Sequence, residues 1–133
     1  MLLFSLLLGL AHAQLATRIN MTNAVARGAL CLDGSPAGYY WRPGSLTDKF
    51  ILFFEGGGWC NTELDCFGRS STALGSSRNW PATKGGGGLL SSDCTKSHFC
   101  NYNLVYMAYC GMALIWLKVC RQRIRTNTVV EHG

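Results

Sequence analysis

Histidine is scarce in this chain, with three in 133 residues, and no C-x-x-C pair occurs anywhere. A zinc site built on paired-ligand spacing is therefore excluded, and nothing else calls for a metal or a cofactor. Charged residues make up only 14% of the chain, and its net charge of +5 is unevenly placed. Residues 14–110 hold eight Lys/Arg against six Asp/Glu, a balance of +2, while Lys118, Arg121, Arg123 and Arg125 against Glu131 add the other +3. A nucleic-acid binder needs a basic face interleaved with aromatics through its folded part. That pattern is missing, so nucleic acid is excluded as a partner. Internal repeats are absent, and the low-complexity content is one glycine run at 85–88. The uncharged stretch at 104–117 is fourteen residues long, short of the roughly 20 that a membrane span needs. Its first half also reads as a sheet strand.

What is present begins with residues 2–13, LLFSLLLGLAHA, an apolar block closed by Ala11-His12-Ala13 and followed by polar Gln14. A hydrophobic region ending in an A-x-A site reads as a secretory signal peptide over 1–13, with no further membrane span. A buried N-terminal helix is the alternative; the small-residue exit favours the signal. Seven cysteines follow: Cys31, Cys60, Cys66, Cys94, Cys100, Cys110 and Cys120. In an oxidising compartment that density points to disulfides. Signal and cysteines agree on a secreted protein. Asn20-Met21-Thr22 is an N-x-T acceptor that would place a glycan at Asn20. The length allows one small domain with a modest core.

Residues 17–30 read as a short strand and a loop, and Cys31-Leu32-Asp33-Gly34-Ser35-Pro36 is turn chemistry. An aromatic strand follows at 38–42, stopped by Pro43-Gly44-Ser45. The five apolar residues 50–54 have the pattern of a strand buried on both faces of a sheet. Residues 62–77 predict a short helix interrupted at Gly68, 79–97 a loop, and 103–109 a second buried strand ending at Cys110. Buried strands separated by loop and helix point to a parallel or mixed sheet, hence an α/β class.

At 50–60 the chain reads FILFFEGGGWC, a hydrophobic strand running straight into an acid and three glycines. One reading is a flexible turn where no side chain fits. The other is functional: side-chain-free peptides at the end of a strand let backbone N–H groups point at one spot, as in an oxyanion hole. Spacing alone leaves both open.

CLDGSPAGYYWRPG at 31–44, FILFFEGGGWC at 50–60, RSSTALGSS at 69–77 and NYNLVYMAYC at 101–110 resemble, in this order and spacing, the pectin acetylesterase/Notum family. The likeness covers about residues 28–110. These are secreted carboxylesterases of the α/β-hydrolase class, using a Ser–His–Asp mechanism. Their substrates range from acetylated cell-wall pectin to a lipid acyl group on a signalling protein. The resemblance implies an α/β-hydrolase-like, disulfide-tied fold, with residues 14–110 as the N-terminal part of the hydrolase domain. It implies Gly57 and Gly58 as oxyanion-hole donors and Trp59 as a pocket wall. It suggests pairing Cys60 with Cys66 and Cys31 with Cys110, which leaves Cys94 and Cys100 as a local pair and Cys120 without an assigned partner. A monomer acting on acetylated polysaccharide or another acyl ester is expected, extracellular and, for pectin, at the cell wall.

Past Cys110 the resemblance stops. The family continues with a D-G-x-S-F-x-G-like segment, a nucleophile in a G-x-S-A-G-G turn, and later an Asp and a His. Here 111–133 is a divergent basic tail, GMALIWLKVCRQRIRTNTVVEHG, and no G-x-S-x-G occurs anywhere. His98 lies in a loop and His132 is penultimate; no serine has the strained elbow that a triad needs. The expectation is the N-terminal portion of a carboxylic-ester hydrolase, inactive by itself. A truncated product, a short isoform and a membrane-anchored form are the readings of the tail, and the abrupt loss of motif favours truncation. The rival is a non-catalytic secreted module that binds a glycan or acyl group through Tyr39, Tyr40, Trp41, Trp59 and Trp80. Against it stands the ordinary use of large aromatics in cores.

Overall fold

A computed structural model describes residues 14–111. The signal reading for 1–13 and the readings for 112–133, with Cys120 and His132, lie outside the described residues. Strands β1 (Ala16–Asn20), β2 (Gly38–Arg42), β3 (Leu46–Phe54), β4 (Thr83–Lys84) and β5 (Tyr102–Met107) form one sheet in the order β3-β5-β2-β1-β4. β3 and β5 run parallel, and the other pairs are antiparallel, so the sheet is mixed. Helices α1 (Ala24–Arg27) and α2 (Glu63–Ser70) and single 3-10 turns at Ser77–Asn79 and Gly88–Leu90 complete the described elements.

The core gathers on one face. Tyr40 of β2, Leu104 of β5, Ala16 of β1, Trp80, Leu90, Cys31 and Cys110 are buried together, with Ile51, Phe53 and Tyr106 packed against them. Alternation along β3 follows: Ile51 and Phe53 turn inward, while Phe50, Leu52 and Phe54 are 52%, 61% and 71% exposed. Burial of 50–54 on both faces is therefore corrected to burial on one. β3 is an edge strand, and its outer face carries only the Trp41–Phe50 ring contact, centroids 6.3 Å apart, among the described residues. A run of apolar residues cannot by itself report how many faces are covered.

β3 also begins earlier than its apolar run, at Leu46, and its register with β5 shifts between Leu46 and Phe50. Buried Asn103 fills that irregularity. Its amide nitrogen donates to the carbonyls of Leu46 (2.9 Å) and Lys49 (3.0 Å), and its amide oxygen accepts from the Gly44 N–H at 2.9 Å. Backbone groups that the shift would otherwise orphan are thus paired.

α2 runs through Gly68 without a break, a second correction. A helical glycine costs about 1 kcal/mol against alanine, and the opposing terms are local. Thr62 Oγ1 accepts from the Asp65 N–H, Glu63 and Asp65 lie at the positive end, and Arg69 lies in the last turn. The second buried strand stops at Met107, two residues short of expectation, because the Tyr109 N–H turns to the Glu55 carboxylate. The 79–97 loop contains β4, too short to be signalled by periodicity.

The disulfides are Cys31–Cys110 and Cys60–Cys66, as the family resemblance suggested, and Cys94–Cys100, the local pair that those two left over. They span sequence separations of 79, 6 and 6 residues. In the chain-entropy account, closing the long loop stabilises by roughly 4 kcal/mol and a short one by about 2. Non-reducing peptide mapping should recover these links. Removing Cys31–Cys110 by a double serine variant should lower the urea midpoint about twice as far as removing Cys60–Cys66. Equal losses would mean that loop closure is not how the long link acts.

Candidate active site

The candidate site grows from the end of β3. Phe54 closes the parallel pairing with Met107, and the next amide, Glu55 N–H, still donates to the Met107 carbonyl at 3.0 Å. The Glu55 side chain then turns back over the sheet. One carboxylate oxygen accepts from Lys84 Nζ and from Tyr106 Oη at 2.8 Å, and the other accepts from the Tyr109 N–H at 3.0 Å. Lys84 reaches the pair from β4, passing 4.3 Å from the Tyr106 ring centroid and 5.5 Å from that of Tyr40. Burial by itself would raise the Glu55 pKa, but the hydrogen bonds from Lys84, Tyr109 and Tyr106 outweigh it and hold the carboxyl below its ordinary range. Burial likewise works against the Lys84 charge, and the bond to Glu55 wins, moving its pKa upward.

Glu55 anchors the start of the glycine turn, and two side chains hold its body. The Tyr109 ring lies where a Gly57 Cβ would stand, with Cδ1 only 1.9 Å from that position. Tyr109 Oη donates to the Gly58 carbonyl at 2.7 Å. Arg69 Nη1, from the end of α2, donates to the Gly57 carbonyl at 2.6 Å and to that of Gly58 at 3.3 Å. Gly58 has φ +68°, the left-handed region that glycine enters freely. Among the described residues the Gly57 and Gly58 N–H groups meet no protein acceptor. The turn therefore commits the Gly57 and Gly58 carbonyls to protein donors and leaves the N–H groups of the same residues without an acceptor among the described residues.

Trp59 follows, 66% exposed, beside those N–H groups. Cys60 is buried, and its disulfide to Cys66 ties the turn to α2. The structure thus brings Gly57, Gly58, Trp59, Cys60 and Cys66 together, while Cys94–Cys100 lies in the loop before β5. Asn20 is exposed at the end of β1, with Met21 and Thr22 exposed after it. His98 is exposed and, among the described residues, hydrogen-bonds neither a serine nor a carboxylate. No cluster of three or more His, Cys, Asp or Glu suited to a metal occurs among the described residues. No helix among them is long and apolar enough to cross a membrane.

The proposed stacking aromatics divide. Tyr40 and Trp80 are buried, each with its polar atom bonded to backbone: Tyr40 Oη to the Pro81 carbonyl at 3.0 Å, Trp80 Nε1 to that of Ala73 at 2.7 Å. Tyr39 and Trp41 are half-buried, and Trp59 alone of the five stands open. A continuous stacking platform is not formed. Sequence reading missed Glu55, Lys84, Arg69 and Tyr109. The last two had a signal, since one lies three residues past Cys66 and the other immediately before Cys110, each beside a half-cystine.

A partly parallel sheet whose edge strand β3 ends in a glycine turn, with its connections tied by disulfides, is a piece of an α/β-hydrolase-like fold. Among known proteins, the family model for pectinacetylesterase matches residues 11–119, and this chain belongs to that family. It is 43% identical over 93 residues to pectin acetylesterase 5 of Arabidopsis thaliana, covering 68% of this chain and 22% of that one. Over 84 residues it is 43% identical to palmitoleoyl-protein carboxylesterase NOTUM of Mus musculus, covering 61% and 17%. Inactive palmitoleoyl-protein carboxylesterase notum1b of Danio rerio is 40% identical over 84 residues, covering 61% of this chain and 60% of that one. The structure of the Wnt deacylase Notum from Drosophila superposes with a TM-score of 0.64 at 33% identity, over 73% of this chain and 28% of that one. The chain thus spans about a fifth of the length of the first two relatives, 22% and 17%.

Because its folded pKa lies below the ordinary 4.5, the Glu55 contribution is fully present above that value and is lost as pH falls through the folded pKa. Glu55→Gln should cost about 2 kcal/mol at neutral pH, the size of the charged hydrogen bonds removed. It should also flatten the acid decline of stability below pH 4.5. The flattening is partial, since Asp33 is depressed as well and the Thr95 bonds lower Asp93 to about 2. An unchanged acid limb in urea titrations would show that Glu55 does not carry this linkage.

Proposed function

We propose that residues 14–110 are the oxyanion-hole portion of a secreted carboxylic-ester hydrolase, and that these 133 residues by themselves do not turn over an ester. The observation that carries the reading is the glycine turn. The Gly57 and Gly58 carbonyls are committed to Arg69 and Tyr109, and the N–H groups of Gly57 and Gly58 meet no protein acceptor among the described residues. Such preorganised donors stabilise the tetrahedral oxyanion of acyl transfer at no reorganisation cost, each worth about 3 kcal/mol. Trp59 forms a wall of the acyl pocket. Family membership supplies the substrate class, an acetylated polysaccharide or another acyl ester; the named relatives act on pectin acetyl and palmitoleoyl-protein esters. The disulfides fit an oxidising, extracellular compartment, and Asn20 is exposed enough to carry a glycan. Inactivity rests on the missing G-x-S-x-G and on His98, which among the described residues hydrogen-bonds neither a serine nor a carboxylate.

A hybrid tests the reading: residues 14–110 exchanged into pectin acetylesterase 5 in place of its matching segment. That hybrid should hydrolyse a short-chain aryl acetate, whereas the 133-residue chain should give no turnover that a serine-directed fluorophosphonate abolishes. Gly58→Ala in the hybrid should lower turnover about a hundredfold. A Cβ there finds room, Arg69 Nη2 being 3.8 Å away, but the left-handed φ penalises it and relaxation would swing the N–H aside. Gly57 is the poorer probe, because any side chain would collide with Tyr109 and confound folding with chemistry. Full turnover of the Gly58→Ala hybrid, or inhibitor-sensitive turnover by the 133-residue chain, would overturn the proposal.

A further inference from the structure

We propose that Arg69 and Tyr109 are positioning residues that aim the N–H groups of Gly58 and Trp59 by holding the carbonyl ends of the same peptide units. The purpose of that aim rests on the oxyanion reading; the geometry does not. In a trans peptide, the carbonyl of one residue and the N–H of the next point in opposite directions, and no cis peptide occurs among the described residues. The Gly57 carbonyl is held by Arg69 Nη1 at 2.6 Å, so the Gly58 N–H is directed away from that guanidinium. The Gly58 carbonyl is held by Tyr109 Oη at 2.7 Å and by Arg69 Nη1 at 3.3 Å, so the Trp59 N–H is directed away as well.

Two successive carbonyls meeting one guanidinium nitrogen require adjacent peptide planes to face the same way. Alternation of backbone hand produces that arrangement, and Gly58 at φ +68° directly follows Gly57, which is not left-handed. Both positioners are themselves fixed. The Tyr109 N–H donates to Glu55 and its ring abuts Gly57, while Arg69 ends α2, which Cys60–Cys66 ties to the turn. The Gly56–Gly57 peptide has no comparable hold among the described residues. Of the two proposed oxyanion donors, Gly58 is thus the one whose N–H is held from its own peptide carbonyl, and the Trp59 N–H is held beside it. A Gly58 N–H held in this way next to the exposed Trp59 indole suits one small oxyanion, that of the tetrahedral intermediate formed at an ester's acyl carbon.

Isotope-labelled, oxidised 133-residue chain is to be compared with Tyr109→Phe, Arg69→Gln and Arg69→Lys by backbone NMR. Tyr109→Phe should move the Gly58 carbonyl carbon and the Trp59 amide nitrogen and spare the Gly57 carbonyl. Arg69→Gln should move the Gly57 carbonyl carbon and the Gly58 amide nitrogen most, with partial return in Arg69→Lys. Shifts spread evenly over β3 and α2, or none between Gly57 and Trp59, would overturn the proposal. If an Arg69 variant does not fold, Tyr109→Phe decides alone, because its ring still fills the space against Gly57. In the hybrid enzyme Tyr109→Phe should lower kcat about tenfold with KM unchanged; a KM effect alone would overturn the catalytic purpose. The paired shifts together with undiminished turnover of the Gly58→Ala hybrid would sink the oxyanion reading and leave the positioning intact.

Discussion

The Glu55 carboxylate closes a distance that the sheet itself leaves open. β3 and β4 are the two edges of the five-stranded order, with β5, β2 and β1 between them. Glu55 leaves the end of one edge and Lys84 rises from the other, and they meet over the rings of Tyr106 and Tyr40. Taking both charges partly out of water is costly: their side chains are 20% and 30% exposed. Three donors on one carboxylate and two aromatic faces under one ammonium offset that cost. Removing either partner would leave the other half-buried without its counter-charge. The same carboxylate also takes the Tyr109 N–H, so the end of β5 and the first glycine of the turn are fixed from a single point.

A second hub explains why distant motifs travel together in the sequence. Asp33 of CLDGSP accepts from the Ser35 N–H and hydroxyl and from Ser76 Oγ at 2.6 Å, and Arg78 stands 3.8 Å away. Ser35 Oγ in turn accepts from the Ser77 N–H at 3.0 Å. The 31–36 turn and the Gly75–Ser77 stretch are thus one contact written in two places. Cys31, at the start of that turn, is linked to Cys110 just past β5, which brings the chain back beside the glycine turn. Buried Arg42 is less well served. Its Nη1 donates to the Leu90 carbonyl at 2.6 Å, while Nε and Nη2 have no partner among the described residues, and burial lowers its pKa.

Local chemistry was the legible part. The strand at Gly38–Arg42 appeared where an aromatic run met Pro43-Gly44, and the turn appeared at its glycines. What failed were properties that depend on remote packing. Phe50–Phe54 reads the same whether one face or two is covered, and its edge position is set by pairing with residues 102–107, about fifty positions away. β4 is two residues long and forms only because Ala16 and Thr17 offer it an edge. Gly68 predicts a helix break by propensity alone, and propensity is a weak prior beside a cap and a disulfide staple. Lys84 carries no local signal, because its partner Glu55 lies 29 residues back, just past the end of β3.

The structural reading of the glycines and their proposed function rest on the same contacts. A turn with no role beyond bending the chain needs no particular destination for its carbonyls; water at the surface satisfies them as well as protein does. Here a guanidinium and a phenol, both costly to immobilise, are spent on the carbonyls of two consecutive glycines. The ring that forbids a side chain at Gly57 belongs to the residue whose hydroxyl grips Gly58. Steric exclusion therefore removes the side chain while the hydrogen bond orients the peptide, and both act through Tyr109. Glycine at Gly57 is demanded by the ring whose hydroxyl holds the next peptide, so the packing at Gly57 and the hold on Gly58 come from one side chain.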